Sequence, residues 1–195
     1  MPKINRNTNA KPAPEQPKPR KIVSGTPNLT EADEAKAREL AERYSLGPDD
    51  IAFLQYTGGT TGVAKGAMLL HRNLIANLLQ CEAWMGPALQ DTSRGPVPEQ
   101  FVYVCALPLY HAFALVVNGL FGMRVGGLNV LIPNARDTHA MVKDLRRLPF
   151  NVLPAVNTLL NSLAEGPEFR KLDFTGLKIS IGAGMAVQQA GADKW

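Results

Sequence analysis

The residues between positions 57 and 65 form the stretch of the sequence best suited to chemistry. They follow the apolar run at residues 50–56 and combine glycine, threonine and one lysine. Glycines let consecutive N–H groups point at one place and keep side chains away from a phosphate. Threonine hydroxyls add neutral donors, and the lysine adds a mobile positive charge. We therefore predict a polyphosphate-binding loop, with a plain turn as the alternative. The predicted phosphate-binding residues are Thr57, Gly58, Gly59, Thr60, Thr61, Gly62 and Lys65.

This loop is not a Walker A motif, because Ala64 precedes Lys65 and Gly66 follows it, whereas that motif needs glycine before the lysine and a hydroxyl residue after it. It resembles the phosphate-binding signature of the adenylate-forming superfamily, whose usual form is Y-T-S-G-T-T-G-x-P-K-G. Residues 56–66 depart from that form only at Gly58 and Ala64. The variant is most similar to bacterial long-chain fatty-acid–CoA ligases.

A second motif surrounds His111. The apolar run at residues 101–107 leads into P-L-Y-H-A-F, and residues 107–113 match the L-P-x-[FY]-H-x-[FYG] motif of acyl-CoA synthetases. The resemblance implies that His111 is catalytic and lies beside the substrate carboxylate and the α-phosphate. An imidazole suits that place because it donates to an oxyanion and, as a cation, offsets charge. A structural histidine at a strand end is the alternative. We expect His71 to begin a helix and His139 to lie in a turn after Asp137.

A third segment, G-A-G-M-A-V-Q, follows an apolar run at residues 177–181. It is a poor dinucleotide fingerprint because Val187 occupies the position of the third glycine. In the resembled family a G-G-G-M-A-V-Q loop follows a strand and shapes the acyl tunnel and one side of the adenine site. Ala183 departs from the central glycine, and its methyl group is either tolerated or narrows the pocket. The residues implied for the adenine and acyl pocket are Gly182, Ala183, Gly184 and Met185.

The resemblance implies activation of a long-chain fatty acid by ATP to an acyl-adenylate, followed by displacement of AMP by the thiol of coenzyme A. ATP, Mg²⁺ and coenzyme A as co-substrate are therefore expected. The family's magnesium glutamate, ribose aspartate and C-terminal lysine are expected beyond Trp195, so no metal ligand is assigned within this chain. We expect the isolated chain to be a truncated segment that binds nucleotide weakly and does not turn over.

The composition fits one globular domain: of 195 residues, 45% are hydrophobic and 19% are charged. The net charge of +4 does not indicate nucleic-acid binding, because residues 1–21 hold six basic residues against one acidic residue and the remainder is slightly acidic. Cys81 and Cys105 give neither a disulfide framework nor a Cys-rich metal site. A cytoplasmic location is expected, with peripheral contact between the basic tail and the inner membrane left open. The oligomeric state is not readable from the sequence.

The order of apolar and polar segments predicts an α/β fold. We expect a disordered basic Pro-rich tail at residues 1–27, a helix and linker at 28–49 and a partial AMP-binding domain at 50–195. The predicted strands cover residues 50–56, 67–70, 101–107, 128–132, 151–153 and 177–181. The predicted helices cover residues 71–85, ended by Gly86–Pro87, then 116–123, about 138–148, and a helix beginning at Pro154. This alternation predicts a mostly parallel sheet with helices on both faces, as in the large N-terminal domain of adenylate-forming enzymes.

Three functional interpretations remain at this point. The first is a fatty-acid–CoA ligase segment, supported by two spaced motifs and the Gly-rich loop. The second is another adenylate-forming ligase, specific for aryl or amino acids. The third is a non-catalytic nucleotide-binding remnant, against which the intact Lys65 and His111 argue.

Overall fold

A computed structural model describes residues 30–57, 65–93 and 95–195. The predicted tail at residues 1–27 lies outside these ranges. The strands are β1 (Ile51–Thr57), β2 (Lys65–Leu70), β3 (Val102–Cys105), β4 (Leu128–Leu131), β5 (Val152–Ala155) and β6 (Ile179–Gly182). The helices are α1 (Glu31–Arg43), α2 (His71–Leu89), α3 (Ala112–Ala114), a π-helix (Leu115–Phe121), α4 (Gly122–Arg124), α5 (Thr138–Leu145), α6 (Asn157–Glu165), a 3-10 turn (Phe169–Lys171) and α7 (Gln189–Ala192).

Four strands form a parallel sheet in the order β4-β3-β5-β6. The α/β prediction and its parallel sheet are therefore confirmed. Strands β1 and β2 form a separate antiparallel hairpin, in which Thr57 pairs with Lys65 and Tyr56 with Gly66. The sequence predicted this strand–loop–strand unit but not its separation from the sheet.

Helices cover both faces of the parallel sheet, as predicted. On one face, Val102 and Val104 of β3 pack with apolar residues of α5 and α6. On the other face, Tyr103 of β3 packs with Met85 of α2 and Phe121 of the π-helix. Consecutive residues of β3 thus point to opposite layers, as the pleat of a strand requires. Buried apolar side chains on both faces account for the nearly continuous apolar sequence of the strand.

The two ends of the sheet are reached by connections on opposite faces. The connection from β3 to β4 runs through the π-helix, on the α2 face, and moves to one side of β3. The connections through α5 and α6 lie on the other face and move in the other direction. When all connections between parallel strands have the same handedness, those that move to one side of β3 must lie on the opposite face of the sheet from those that move to the other side. A single crossover hand therefore explains which helices cover which face.

Helix α1 lies within the predicted helix-and-linker region at residues 28–49, and Thr30 is its N-cap. The side chain of Thr30 accepts a hydrogen bond from the backbone N–H of Asp33, and the Asp33 carboxylate accepts one from the N–H of Thr30 at 2.9 Å. This reciprocal pair is a capping box. Helix α1 buries none of its residues, in keeping with its alanine-rich apolar positions. Within residues 30–57, 65–93 and 95–195, no helix is both long enough and apolar enough to cross a membrane.

The prediction that Gly86 and Pro87 end the second helix was wrong. Helix α2 continues to Leu89, with Pro87 inside it and exposed to solvent. Met85 and Leu89 lie on one face of the helix and are 2% and 3% exposed. Burial of a leucine stabilises by about 1.5–3 kcal/mol, which offsets most of the roughly 3 kcal/mol that an interior proline costs. Core packing therefore extends the helix past its local stop signal.

The prediction that Pro154 starts a helix was also wrong. Pro154 lies in β5, pairs with Ile181, and is fully buried, while α6 begins at Asn157. Strand β5 pairs with β3 only at Val152. The ladder to β3 does not continue past Val152. The absence of an N–H group at Pro154 therefore leaves no carbonyl oxygen of β3 without a hydrogen bond.

The segment after His111 forms a longer helix than predicted. It begins at Ala112 rather than at residue 116 and widens into a π-helix. Asn118 in this π-helix is fully buried, and its Nδ2 donates to the carbonyl oxygen of Val104 at 3.2 Å. The Nδ2 of Asn129 on β4 donates to the carbonyl oxygen of Asn118 at 2.8 Å. These bonds tie the π-helix to both strands that it connects. His139 lies inside α5 rather than in the turn before it.

Candidate functional site

The carboxyl edge of the sheet contains a point at which the chain changes direction. From β3 the chain moves outward to β4, and it then crosses to the opposite side of β3 to form β5 and β6. Ligands of open α/β sheets bind outside the carboxyl ends of the strands at such a point. The His111 segment follows β3, and the Gly-rich segment follows β6. Since neighbouring strands are about 4.8 Å apart, these two segments leave the sheet about 10 Å apart, on either side of β5.

The predicted phosphate loop joins the two strands of the hairpin. Thr57 ends β1, Lys65 begins β2, and the two residues pair with each other. The ends of the loop are thus held side by side. Lys65 is exposed to solvent. The intervening predicted residues, Gly58, Gly59, Thr60, Thr61 and Gly62, lie outside the described residues, so their roles stay predictions.

Tyr56 packs over the backbone of Gly66 beside the loop. A Cβ atom at position 66 would lie 3.4–3.7 Å from the Tyr56 ring, at the close end of ordinary van der Waals contact. The first and last residues of the motif, Tyr56 and Gly66, therefore lie opposite each other across the hairpin.

The hairpin reaches the His111 segment through Gln55. The Nε2 atom of Gln55 donates to the backbone carbonyl oxygen of Tyr110 at 3.1 Å, although 55 residues separate the two. The structure thus brings the strand that leads into the phosphate loop next to the residue before His111. Sequence reasoning missed Gln55, because a glutamine within an apolar strand carries no signal for a distant partner.

His111 caps the helix that follows it. Its Nδ1 atom accepts a hydrogen bond from the backbone N–H of Phe113 at 3.3 Å, and its own backbone N–H donates to the carbonyl oxygen of Pro108 at 2.9 Å. An imidazole nitrogen that accepts carries no proton, so the proton of the neutral ring lies on Nε2. The side chain is exposed, and within the described residues Nε2 has no hydrogen-bond partner. Of the other histidines, His71 begins α2 as predicted.

The Gly-rich segment is attached to the sheet and to α6. The backbone N–H of Ala183 donates to the carbonyl oxygen of Ala155 at 3.2 Å, and the buried Asn157 donates from Nδ2 to the carbonyl oxygen of Ala186 at 2.7 Å. Gly184 has φ of +89°, a left-handed conformation that favours glycine. Ala183 is not in that region, so its methyl group costs no backbone strain. Sequence reasoning missed Asn157, whose position at the start of a helix gave no hint of this bond.

Gly182 and Met185 occupy contrasting environments in the same segment. A Cβ atom at position 182 would lie 2.2 Å from Cγ2 of Val187 and 3.3 Å from Cδ1 of Leu160, so the backbone approaches its neighbours too closely for a side chain. Met185 is 64% exposed at the edge of the sheet. The structure thus presents an apolar side chain on a loop whose base is tightly packed.

Reactive thiols and metal clusters do not form part of this edge in the described residues. Burial raises the pKa of both thiols, Cys81 and Cys105, which makes them weak nucleophiles. Residues 30–57, 65–93 and 95–195 contain no group of three or more His, Cys, Asp or Glu that could hold a metal ion. A cavity of about 150 Å³ lies between α5 and the end of α6, lined by residues such as His139 and Phe169 and by none of the predicted site residues.

Comparison with known proteins agrees with the motifs. The chain is 53% identical over 150 residues to the long-chain-fatty-acid–CoA ligase of Escherichia coli, a match covering 77% of this chain and 26% of that ligase. It is 29% identical over 160 residues to 4-coumarate–CoA ligase 1 of Arabidopsis thaliana, covering 81% and 27%. The chain spans about a quarter of the length of the curated relatives it matches.

The fold agrees with solved structures as well. The ATP-bound structure of MatB from Rhodopseudomonas palustris superposes with a TM-score of 0.61 and 27% identity, covering 76% of this chain and 27% of MatB. The family model described as AMP-binding enzyme matches residues 2–195. The resemblance drawn from the motifs is therefore confirmed, and the chain belongs to the family of AMP-binding enzymes.

Proposed function

We propose that this chain supplies the phosphate-binding loop, the substrate-contacting histidine and the Gly-rich pocket wall of a long-chain fatty-acid–CoA ligase. The observation that carries the proposal is the 53% identity over 150 residues to a long-chain ligase. A match of that length within 195 residues must include residues 57–65 and 107–113. It therefore spans both the hairpin loop and the histidine motif.

In the first step, a fatty-acid carboxylate oxygen attacks the α-phosphorus of ATP, an acyl-adenylate forms and pyrophosphate leaves. Phosphoryl chemistry of this kind depends on positioning and on neutralising charge. Lys65 and the loop N–H groups would hold the β- and γ-phosphates. The Nε2 N–H of His111 would donate to a carboxylate or α-phosphate oxygen, in line with the acceptor role of its Nδ1. Gly182, Ala183, Gly184 and Met185 would line the adenine and acyl pocket.

In the second step, the thiol of coenzyme A attacks the acyl carbon and AMP leaves. Magnesium, when bound, would neutralise phosphate charge. No residue of this chain is assigned as its ligand. A cytoplasmic location suits ATP and coenzyme A, which are both water-soluble, and we propose it on that basis.

An aryl acid is the less favoured substrate. Identity to the coumarate–CoA ligase is 29%, against 53% to the long-chain ligase over a similar length. The exposed Met185 offers an apolar surface suited to an acyl chain. The two substrate classes are separated by the experiment below.

The test replaces the aligned 150-residue segment of the Escherichia coli ligase with that of this chain. Release of pyrophosphate and formation of acyl-CoA are measured with palmitate and, in parallel, with 4-coumarate. We expect palmitate-dependent turnover within about tenfold of the parent. This limit corresponds to a loss of at most about 1.4 kcal/mol of transition-state stabilisation. A folded chimera that is inactive, or that prefers 4-coumarate, would contradict the proposal.

Two substitutions in the active chimera assign the roles. Lys65→Ala removes a charge-assisted phosphate contact, worth about 1.5–3 kcal/mol, and should lower kcat/KM by about 10- to 150-fold. His111→Ala removes an oxyanion donor and should lower kcat by about 100-fold. The matched controls are Lys143→Ala and His139→Ala, two exposed residues of α5 away from the site. If a control variant lost as much activity as its partner, the assigned role would be wrong.

The 195-residue chain itself is proposed to be inactive alone. Calorimetry with ATP should show at most weak binding, and the palmitate assay should show no turnover. Turnover by the isolated chain would overturn this part of the proposal.

A further inference from the structure

The side chain of Gln55 joins two parts of the candidate site that are distant in the sequence. Its Nε2 atom donates to the carbonyl oxygen of Tyr110 at 3.1 Å. Gln55 lies two residues before Thr57, where the phosphate loop begins, and Tyr110 directly precedes His111. The glutamine is half-buried, and the bond itself lies at the protein surface beside the exposed Tyr110.

This bond fixes the peptide group that carries His111. The carbonyl of Tyr110 and the N–H of His111 belong to one planar unit. Gln55 holds the oxygen of this unit, and the carbonyl oxygen of Pro108 accepts from its N–H at 2.9 Å. With the peptide held at both ends, His111 adopts φ of −89° and ψ of 135°. That conformation brings its Nδ1 to 3.3 Å from the N–H of Phe113.

The hairpin is also anchored to α2, where the backbone N–H of His71 donates to the carbonyl oxygen of Asp50 at 3.1 Å and Arg72 forms an ion pair with Asp49. Its strands pair with each other and with no strand of the parallel sheet in the described chain. The bond from Gln55 to Tyr110 therefore helps to set the distance between the end of β1, where the phosphate loop begins, and the imidazole of His111. Misplacement of a reacting group by about 1 Å is enough to reduce a rate by about 100-fold.

We propose that Gln55 is a positioning residue for His111: its side-chain amide holds the Tyr110–His111 peptide so that the imidazole accepts at Nδ1 and presents its Nε2 N–H at the carboxyl edge of the sheet. The inference rests on the proposed function, because that function gives the Nε2 N–H its substrate oxygen. Gln55 itself touches no reacting atom and acts only through His111.

The test observes the imidazole directly in the full 195-residue chain. Nitrogen-15 NMR distinguishes a ring protonated at Nε2 from one protonated at Nδ1. Gln55→Met keeps the length of the side chain and removes the donor. The matched control is Gln100→Met, because Gln100 makes the same kind of bond from Nε2 to the carbonyl oxygen of Gly126 at 3.0 Å, near the opposite end of β3.

We expect Gln55→Met to lower the ratio of the Nε2–H to the Nδ1–H form of His111 by about two- to tenfold, the range that a single hydrogen bond supports. Gln100→Met should leave that ratio unchanged. Unaltered His111 signals in Gln55→Met, or an equal change in Gln100→Met, would overturn the proposal.

A second measurement needs no variant and decides the matter if Gln55→Met fails to fold. In the unsubstituted chain, nuclear Overhauser contacts should connect the Gln55 side-chain amide protons with backbone protons of Tyr110 and His111. Their presence supports the proposal and their absence refutes it. If the His111 tautomer depends on Gln55 but the ligase chimera is inactive, the proposed function fails and the positioning of His111 by Gln55 stands.

Discussion

Gly182 is the position at which a single methyl group should disturb the candidate site most directly. In Gly182→Ala the new Cβ atom would lie 2.2 Å from Cγ2 of Val187, whereas non-bonded carbons prefer about 3.5–4.0 Å. Leu160, at 3.3 Å, is buried and has little freedom, while Val187 is 41% exposed. Val187 must therefore move by more than about 1 Å, and the Gly-rich loop with it. Overpacking of this kind costs about 1–3 kcal/mol.

The assay is urea unfolding of the 195-residue chain in a double-mutant cycle. Gly182→Ala should lower the free energy of unfolding by about 1–3 kcal/mol. Val187→Ala removes the clashing methyl groups and should cost less, because that side chain is partly exposed. In the double variant, the alanine at position 187 should recover at least about 0.5 kcal/mol of the loss at position 182, which is the threshold for coupled sites.

Two results would refute this reasoning. If the two single effects add to within about 0.3–0.5 kcal/mol, the residues are not in contact as the structure has them. If Gly182→Ala leaves the free energy of unfolding unchanged, a Cβ atom fits at the end of β6 and the close approach of Val187 in the structure is wrong. Gly119→Ala is the control, since its added Cβ atom would lie no closer than 3.7 Å to the surrounding atoms, an ordinary van der Waals contact. That substitution in a helix should stabilise by about 0.5–1 kcal/mol.

Three further predictions follow from individual side chains. The hydroxyl of Tyr103 is buried without a hydrogen-bond partner in the described chain, so Tyr103→Phe should raise the free energy of unfolding by about 1 kcal/mol, measured in urea. Asn157→Ala leaves the carbonyl oxygen of Ala186 without its donor; it should destabilise by about 1–3 kcal/mol and speed amide exchange in the Gly-rich loop. Hydrogen bonds from Lys171 and Arg146 lower the pKa of the Glu168 carboxyl from its usual 4.5, so its contribution to stability is complete above that value and is lost as the pH falls through the lower folded-state pKa. Unfolding curves between pH 6 and 2 should therefore show a smaller acid-side loss in Glu168→Gln.

The strength of local signals decided which elements could be predicted from the sequence. The apolar runs of the strands and the capping bonds at Thr30 and Asp137 act within a few residues, and the structure has the corresponding strands and helices near their predicted places. Pro87 and Pro154 were misjudged because the deciding interactions are distant. Leu89 buries against the sheet to extend a helix past one proline, and the divergence of β5 from β3 makes room for the other in a strand.

The site was predictable in its parts and not in its assembly. The motifs around Lys65 and His111 are contiguous in sequence, so a resemblance carried by a few residues identified them. Gln55 and Asn157, in contrast, each reach a backbone carbonyl far along the chain, at Tyr110 and Ala186. A side chain bonded to a backbone oxygen imposes no residue type on its partner. The sequence therefore holds no paired signal for such a contact.

The attachment of each segment determines how damage to it should be detected. The Gly-rich loop is tied to α6 by Asn157 and packed at Gly182, so changes there should appear in stability as well as in function. Lys65 is exposed to solvent at the start of β2. In the ligase chimera, Lys65→Ala should therefore lower phosphate affinity more than it lowers the free energy of unfolding. If Lys65→Ala destabilised the chain as much as Asn157→Ala, the lysine would be part of the scaffold, and its assignment to the phosphates would need another basis.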